Sequence, residues 1–563
     1  MKQKIRSLIT HHSSLITILI LASVLRMWQL DINPPHLTSD EAALAYNAYS
    51  ILETGRDEHG ELLPLIFKSF GDWKPGLYIY LTVPFVAVLG LTEWAVRLPS
   101  ALAGVVAVWL IYKISQRLFT PKLEIGNWKL EILAAMLLAV SPWHVHFSRG
   151  AWEANLSLTL TLAGICFFLR FLKGKRKSVY LSCLFFALTL WAYQGAKLGT
   201  TLVVVALLLA YRKQFNLMPR RQIIKVLVLG FVLVLPIILS VVQGQAGRLA
   251  VFSVFSYRRP LEYVVNILNQ EGVGINSWQY IFYHSGPLSI LRGVLNRWTN
   301  YYSARFLFFE GDWANPRHGA PDVGVLLLAD LPMLIFGFLY LARSQNRNAK
   351  WFVLLWLLLA PLPAALSRDT IQGVRSLNEV VPLTILTACG SAYMWGFAKI
   401  RKLAILLPCY LVVYAFNYIY FLDQYWAHYP LRSAKDWQYG YKQAILAISK
   451  EQNAYQQIVF QQSYNQPYIF FLFYQKYDPK NYQKIASSVY QPNSLGDVGL
   501  VGKLDNTQFR DASASDLHQK DTIIVYDPEH PPFAELSQKQ QDGIYQEITR
   551  PDGSVAFELL SWE

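Results

Sequence analysis

The sequence predicts a polytopic α-helical membrane protein of about eleven transmembrane helices plus interfacial helices, followed by a small C-terminal soluble α/β domain. Three observations carry this expectation. Of 563 residues, 53% are hydrophobic and only 16% are charged, against roughly a quarter charged in soluble domains. The apolar residues gather in runs close to the ~20 needed to cross a bilayer core. The net charge of +14 sits in short clusters between those runs, as the positive-inside rule expects of cytoplasmic loops. It therefore implies no nucleic-acid partner.

The expected spans are 14–30, 95–118, 130–148, 154–172, 179–194, 198–211, 226–243, 323–342, 351–367, 378–398 and 403–421. Basic clusters orient them: Lys2/Lys4/Arg6, Lys173 to Lys177, Arg212/Lys213 with Arg220/Arg221/Lys225, Arg343/Arg347/Lys350 and Lys399/Arg401/Lys402. Counting 77–92 as a further span would put Lys173–Lys177 outside. That segment is also short and interrupted by Pro84 and Gly90, so it reads as an interfacial helix. The N-terminus is then cytoplasmic and the C-terminal domain extracytoplasmic. Met1 to His12 is basic and leads into the first apolar run without a small-residue cleavage site, the pattern of an uncleaved span. Cys166, Cys183, Cys389 and Cys409 lie in apolar runs without a CxxC pair, so neither a disulfide framework nor a zinc site is expected.

The domain organisation that follows is a transmembrane unit, 1–421, with a first outer loop at 31–94 and a long one at 244–322, then an outer domain at 422–563. In the latter, strand-like runs stand at 457–460, 522–526 and 555–560, and helix-like stretches around 444–448 and 532–541. No internal repeat is evident, which argues against a transporter, since many transporters carry one.

With this orientation the unusual polar residues fall on the outer face. They are Asp40 and Glu41; Asp72 and Lys74; Arg97; Arg149 and Glu153; Tyr193, Gln194 and Lys197; Arg317 and His318; and Arg375. Charges at membrane depth cost about 2.5–3.5 kcal/mol on insertion scales and are normally paired or functional. Carboxylates with cations at one interface suit transfer of a sugar from a polyprenyl phosphate. That reaction needs no nucleophilic side chain. It needs a base for the acceptor hydroxyl and cations for the phosphate as charge builds there.

Thr38-Ser-Asp-Glu-Ala, then Lys74-Pro75 before an apolar aromatic run, then Glu93-Trp-Ala-Val-Arg97-Leu-Pro99, resembles glycosyltransferase family 39. That family includes dolichyl-phosphate-mannose–protein mannosyltransferases and the bacterial lipid A aminoarabinose transferase. Ser148-Arg149 to Glu153, and Phe308-Phe-Glu-Gly-Asp312 with Arg317-His318-Gly, are similar to bacterial members. The resemblance covers roughly residues 30–400 and implies a GT-C fold, inverting transfer and a polyprenyl-phosphate sugar donor. By position it makes Asp40 the catalytic base, with Glu41 a weaker candidate, Lys74 the phosphate-contacting lysine, and Glu153 the acidic residue of the second outer turn. Two departures stand out: Trp73 where the family often has Glu, and Gly76 where a second proline is usual.

Bland readings stand beside these. Asp40 could be the N-cap of a helix starting at Ala42, Lys74 a snorkelling lysine, and Arg97 a partner of Glu93. Glu153 could pair with Arg149 at i, i+4. Arg317, His318 and Arg375 are donor-phosphate candidates. Asp72, Arg149, Tyr193, Gln194 and Lys197 are pocket candidates. His144 and His146 lack a third ligand, so no histidine metal site is expected; Asp40 and Glu41 are the carboxylates a divalent cation would take, although nothing in the spacing requires one. The expected activity is transfer of a hexose, mannose among the candidates, to an acceptor hydroxyl on the outer face, in the manner of protein O-glycosylation. A lipid or cell-wall glycan acceptor is the alternative, and a lipid-linked-sugar flippase the alternative of another class.

Overall fold

The computed structural model describes residues 2–119, 124–125, 128–245, 253–256, 260–400, 406–462, 466–492, 499–533 and 544–561. Most of the expected 532–541 helix, the first residues of the 403–421 span, and Arg401 and Lys402 lie outside the described residues. The chain begins with α1 (Lys2–Met27), an irregular stretch, α2 (Ser39–Thr54) and the hairpin β1 (Ile66–Ser69) and β2 (Asp72–Pro75). Then come α3 (Leu77–Leu89), α4 (Glu93–Leu118), a two-stranded ribbon, α5 (Leu130–Val140), α6 (Pro142–Arg149), α7 (Glu153–Leu172), α8 (Ser178–Ala192) and α9 (Ala196–Ala210).

Among the described residues, α4, α7, Arg220–Val242 and Arg347–Ala365 are long and apolar enough to cross a membrane, with α5–α6 a fifth if its two pieces count as one. Three differences from the expected spans have local causes. Residues 130–148 are not one straight helix. Pro142 has no N–H to continue the ladder, Ser141 caps the new helix by accepting from His144 N at 3.4 Å, and the two pieces meet at 56°. The 351–367 span likewise breaks after Leu359, at Pro361. Helices α8 and α9 have 15 residues each, about 22 Å at 1.5 Å per residue, short of the ~30 Å core. The 77–92 segment forms the 13-residue α3 with Pro84 inside it, about 20 Å long.

The helices Asp330–Arg343 and Val380–Ile400 approach through glycine. A Cβ on Gly337 would meet the Leu386 carbonyl, and one on Gly390 the Met333 carbonyl. Backbone-to-backbone packing of this kind needs small residues, as in membrane helix pairs generally. The helix Arg220–Val242, by contrast, is largely exposed along its length, the position of a helix facing lipid.

Residues beyond 422 build a six-stranded sheet in the order 544–549, 555–561, 522–526, 457–460, 507–509, 503–504. Strands 457–460 and 522–526 are parallel, as are 457–460 and 507–509. Tyr441–Glu451, Pro467–Tyr474 and Pro479–Val489 are its helices. This region shares one hydrophobic core with the first outer loop: Leu44, Tyr46 and Ala48 of α2 and Phe67 of β1 belong to the same cluster as Ile445, Phe470 and Tyr482. Polar ties add to it. Tyr46 Oη donates to Tyr477 O at 3.1 Å, Gln438 accepts from Ser39 N at 2.7 Å, and Lys442 pairs with Glu93 at 2.7 Å. Glu93 is thus paired with Lys442 and not with Arg97. Because one face of α2 is buried by this region, truncating the chain after residue 421 is expected to abolish the folded protein as well as any activity. Size-exclusion of the tagged, solubilised truncation reads this directly; a monodisperse peak at wild-type yield would contradict the shared core.

Candidate active site

Two small devices bring Asp40 and Lys74 together. The hairpin turns at Phe70 and Gly71, both at positive φ (54° and 80°), the two-residue turn whose twist matches paired strands. Its register sets Phe67 opposite Lys74 and Ser69 opposite Asp72. Asp72 and Lys74, two apart on a strand, share one face, and Trp73 takes the other. Gly76 closes the hairpin, its N–H donating to Leu65 O at 3.0 Å. A Cβ there would run into the Phe67 ring, which explains why the usual proline position holds glycine.

The second device is the start of α2. Thr38, not Asp40, is the N-cap, and Glu41 completes the capping box, accepting from Thr38 N at 3.2 Å while Thr38 Oγ1 accepts from Glu41 N at 3.2 Å. That pulls Glu41 inward. Asp40, one residue earlier in the first turn, where the helix dipole favours a carboxylate, points outward and forms an ion pair with the Lys74 ammonium. The Asp40 side chain is 61% exposed and that of Lys74 17%. Burial alone would lower the Lys74 pKa, but the carboxylates of Asp40, Glu153 and Asp72 outweigh it and hold the pKa above the ordinary lysine value. Lys74 also lies over the Phe70 ring, 5.4 Å from its centroid.

Around this pair stand the other members of a mixed-charge cluster. Glu153, the first residue of α7, faces Lys74, Asp40 and Asp72 electrostatically, and among the described residues no ion pair joins it to Arg149. Gln194 donates to Trp73 O, tying the α8–α9 turn to the hairpin. Lys197 is within electrostatic reach of Asp72, and Tyr193 of Glu153 and Arg375. Arg375 pairs with Asp369 at 2.6 Å and remains part-exposed.

Two of the expected site residues do something else. Arg97 is 0% exposed and its five N–H groups all have protein acceptors. Nε and Nη2 reach the Glu41 carboxylate, both at 3.2 Å. Nη1 donates to Leu30 O and Pro34 O, and Nη2 also to His36 O. Arg149, also buried, donates to Leu25 O, Trp28 O, Gln29 O and Asn33 O. These carbonyls belong to the end of α1 and the irregular stretch before α2, backbone that could not otherwise be satisfied in a membrane protein's interior. In this structure Arg97, expected as a donor-phosphate ligand, and Arg149, expected as a pocket residue, clamp this stretch. Glu41, expected as a weaker catalytic candidate, is held by Arg97 and the capping box. Its Oε1 also accepts from Ala151 N at 2.7 Å, fixing the turn that delivers Glu153. Since Asp40 turns to Lys74 and Glu41 to Arg97, the two carboxylates do not form a shared cation seat. Among the described residues no group of three His, Cys, Asp or Glu side chains is placed to hold a metal.

His318, expected as a donor-phosphate candidate, lies inside the fold. It is 5% exposed, its Nδ1 bonds Asp312 Oδ2 at 2.7 Å, and the same oxygen accepts from Gly373 N at 2.7 Å. It braces the loop that carries Arg375 and does not lie on a mobile surface. Arg317 is half-exposed and sits near Asp436. His144 bonds Arg26 at 2.7 Å, so it too is structural. Arg26 in turn caps the broken end of α5 through Leu138 O and Ala139 O. Sequence reasoning missed Asp369 as the Arg375 partner and Glu58 behind the site. Burial pushes the Glu58 carboxyl up to about 8, against the opposing pull of Asn47 and Lys74. One carboxylate among three in the Asp57–Glu61 loop gives no pattern from which its burial could be read.

Residues 74–240 match the sequence model of the family described as dolichyl-phosphate-mannose-protein mannosyltransferase. YycA of Bacillus subtilis (strain 168), which carries a provisional mannosyltransferase name, is 27% identical over 170 residues, covering 29% of this chain and 22% of YycA. The match thus spans less than a quarter of that relative's length. Among solved structures, ArnT from Cupriavidus metallidurans bound to undecaprenyl phosphate superposes with a TM-score of 0.54 at 13% identity, covering 97% of each chain. The archaeal oligosaccharyltransferase AglB from Archaeoglobus fulgidus, in complex with an inhibitory peptide and a dolichol-phosphate, superposes at 0.50 with 11% identity, covering 97% of this chain and 74% of AglB. Residues 74–240 are thus similar to the dolichyl-phosphate-mannose-protein mannosyltransferase family, and over 97% of its length the chain shares the fold of ArnT.

Proposed function

We propose that the chain is a membrane glycosyltransferase that moves a hexose from a polyprenyl phosphate to an acceptor hydroxyl by inversion. The observation that carries this reading is the Asp40–Lys74 ion pair, with the carboxylates of Glu153 and Asp72 acting on the same lysine. Lys74, joined by Arg375, binds the donor phosphate. Asp40 takes the proton of the acceptor hydroxyl as its oxygen attacks the anomeric carbon. The bond from that carbon to the phosphate oxygen breaks, and the polyprenyl phosphate leaves with the electron pair, its growing charge met by the cations. Glu153 orients the acceptor or the sugar, and Tyr193, Gln194, Lys197 and Asp72 line the site. ArnT holding undecaprenyl phosphate and AglB holding a dolichol-phosphate support the donor class.

In this reading the chain lies in the cytoplasmic membrane with about eleven spans, its N-terminus inside and the region from 422 outside, where it supports α2 and borders the site. Mannose is the proposed sugar, on the family's description, and protein the proposed acceptor. The test is transfer by membranes containing the chain from a panel of labelled polyprenyl-phosphate sugars, followed by separation of protein from glycolipid. Label in protein from the mannosyl donor supports the full reading. Label in glycolipid or glycan keeps the chemistry and changes the acceptor. No transfer from any donor, with lipid-linked sugar nevertheless crossing the bilayer, would establish the flippase instead.

A further inference from the structure

Helix α7 starts at the candidate site with Glu153, α4 carries Arg97, the partner of Glu41, in its first turns, and both helices end on the same cavity. Arg97 to Arg117 and Glu153 to Arg170 each correspond to about 26–30 Å of helix, one hydrocarbon thickness. The cavity, about 460 Å³, is lined by Trp109, Leu110, Lys113 and Arg117 of α4, Cys166, Phe167 and Arg170 of α7, and Lys173 and Lys175 of the following turn. Five of these nine residues are cationic and none is acidic. Among the described residues, Lys113, Arg117, Arg170 and Lys175 make no ion pair with a carboxylate. Arg117 is aimed by two bonds from Nη1, to Lys113 O at 3.1 Å and to Cys166 Sγ at 2.8 Å. Lys113 lies over the Tyr112 and Trp109 rings at 5.2 and 5.7 Å, and Arg170 over Phe167 at 5.4 Å. Trp109 is 40% exposed.

A general positive-inside bias would leave such cations dispersed in water. Here they converge on a concavity whose other wall is aromatic and aliphatic. The geometry points to a binding site for an anionic glycerophospholipid on the membrane face opposite the candidate site. The phosphodiester sits among Arg117, Lys113 and Arg170, and the acyl chains lie along Trp109, Leu110 and Phe167. Basic pockets between membrane helices hold headgroups in this way. The apolar wall selects a lipid over free phosphate.

The test uses the full-length chain, purified and delipidated, then offered phosphatidylglycerol, phosphatidylcholine or inorganic phosphate alone, with bound ligand counted by native mass spectrometry. Phosphatidylglycerol is expected to be retained in preference to phosphatidylcholine. The double variant K113Q/R170Q is expected to lower that retention by about tenfold or more, at about 1 kcal/mol per cation. R170K, and the control R212Q/K213Q, whose residues also belong to the basic clusters, should retain it. Equal retention of the two lipids, equal loss in the control, or phosphate occupying the site as well as lipid would each overturn the assignment. A second measurement needs no cation variant: phosphatidylglycerol with brominated acyl chains should quench the part of the fluorescence that W109F removes. Absence of that quenching also overturns it.

Discussion

Asp40→Asn is expected to lower sugar transfer by about 10²–10⁴-fold, the range by which a positioned general base accelerates a reaction. The substitution keeps side-chain shape and leaves the Thr38–Glu41 capping box untouched, because Asp40 takes no part in it. Its side chain is 61% exposed, so solubilised protein should melt close to wild type. Lys74 stays in place to hold phosphate, so donor affinity should change much less than turnover. The loss then falls on the rate with bound donor, as expected for a group acting in the transition state. Single-turnover transfer from labelled donor, with donor binding measured separately, checks this. An Asp40→Asn protein transferring at the wild-type rate would remove Asp40 as base and leave Glu153 as the carboxylate facing Lys74. Transfer retained while lipid-linked sugar no longer crosses the bilayer would favour the flippase.

What the sequence revealed and what it concealed divide along physical lines. Strands 457–460, 522–526 and 555–561 stand where short β-rich runs predict them, since burial on both faces leaves a local apolar signature. The proximity of Asp40 and Lys74 followed from the family resemblance and is realised by a hairpin and a capped helix. The direction each charge faces was not legible. Asp40 and Glu41 are neighbours with the same chemistry, and only the capping box, which draws Glu41 back to Thr38, separates exposed base from buried brace. Arg97 and Arg149 looked functional because charges at membrane depth are usually so. Their partners are backbone carbonyls of 25–36, and a backbone acceptor leaves no mark in a sequence. The same applies to His318, whose partner Asp312 was in view but whose burial between Phe147 and Trp152 depends on three distant segments. Hydropathy reads the runs around Pro142 and Pro361 as continuous, whereas the helices there are interrupted at those prolines.

Arg97→Met tests the reassignment most severely. If Arg97 bound donor phosphate, the variant would fold normally and show weaker donor binding. The structure predicts the opposite. Removing the guanidinium strands a Glu41 carboxylate that is 4% exposed, and losing one partner of a buried pair costs about 3–5 kcal/mol. It also leaves Leu30, Pro34 and His36 carbonyls without that donor, each a loss of about 1–3 kcal/mol if nothing replaces it. Against the ~5–15 kcal/mol that separates folded from unfolded domains, the variant should fail to give a monodisperse solubilised peak. Arg97→Lys should fall between, because an ammonium offers three donors where the guanidinium offers five in a fixed fork. The double variant Glu41→Gln/Arg97→Met should recover part of the loss, since the stranded charge is gone while the unpaired carbonyls remain. Yield and melting temperature of the four proteins measure this order, and an Arg97→Met chain that melts like wild type but binds donor poorly would return Arg97 to the phosphate site.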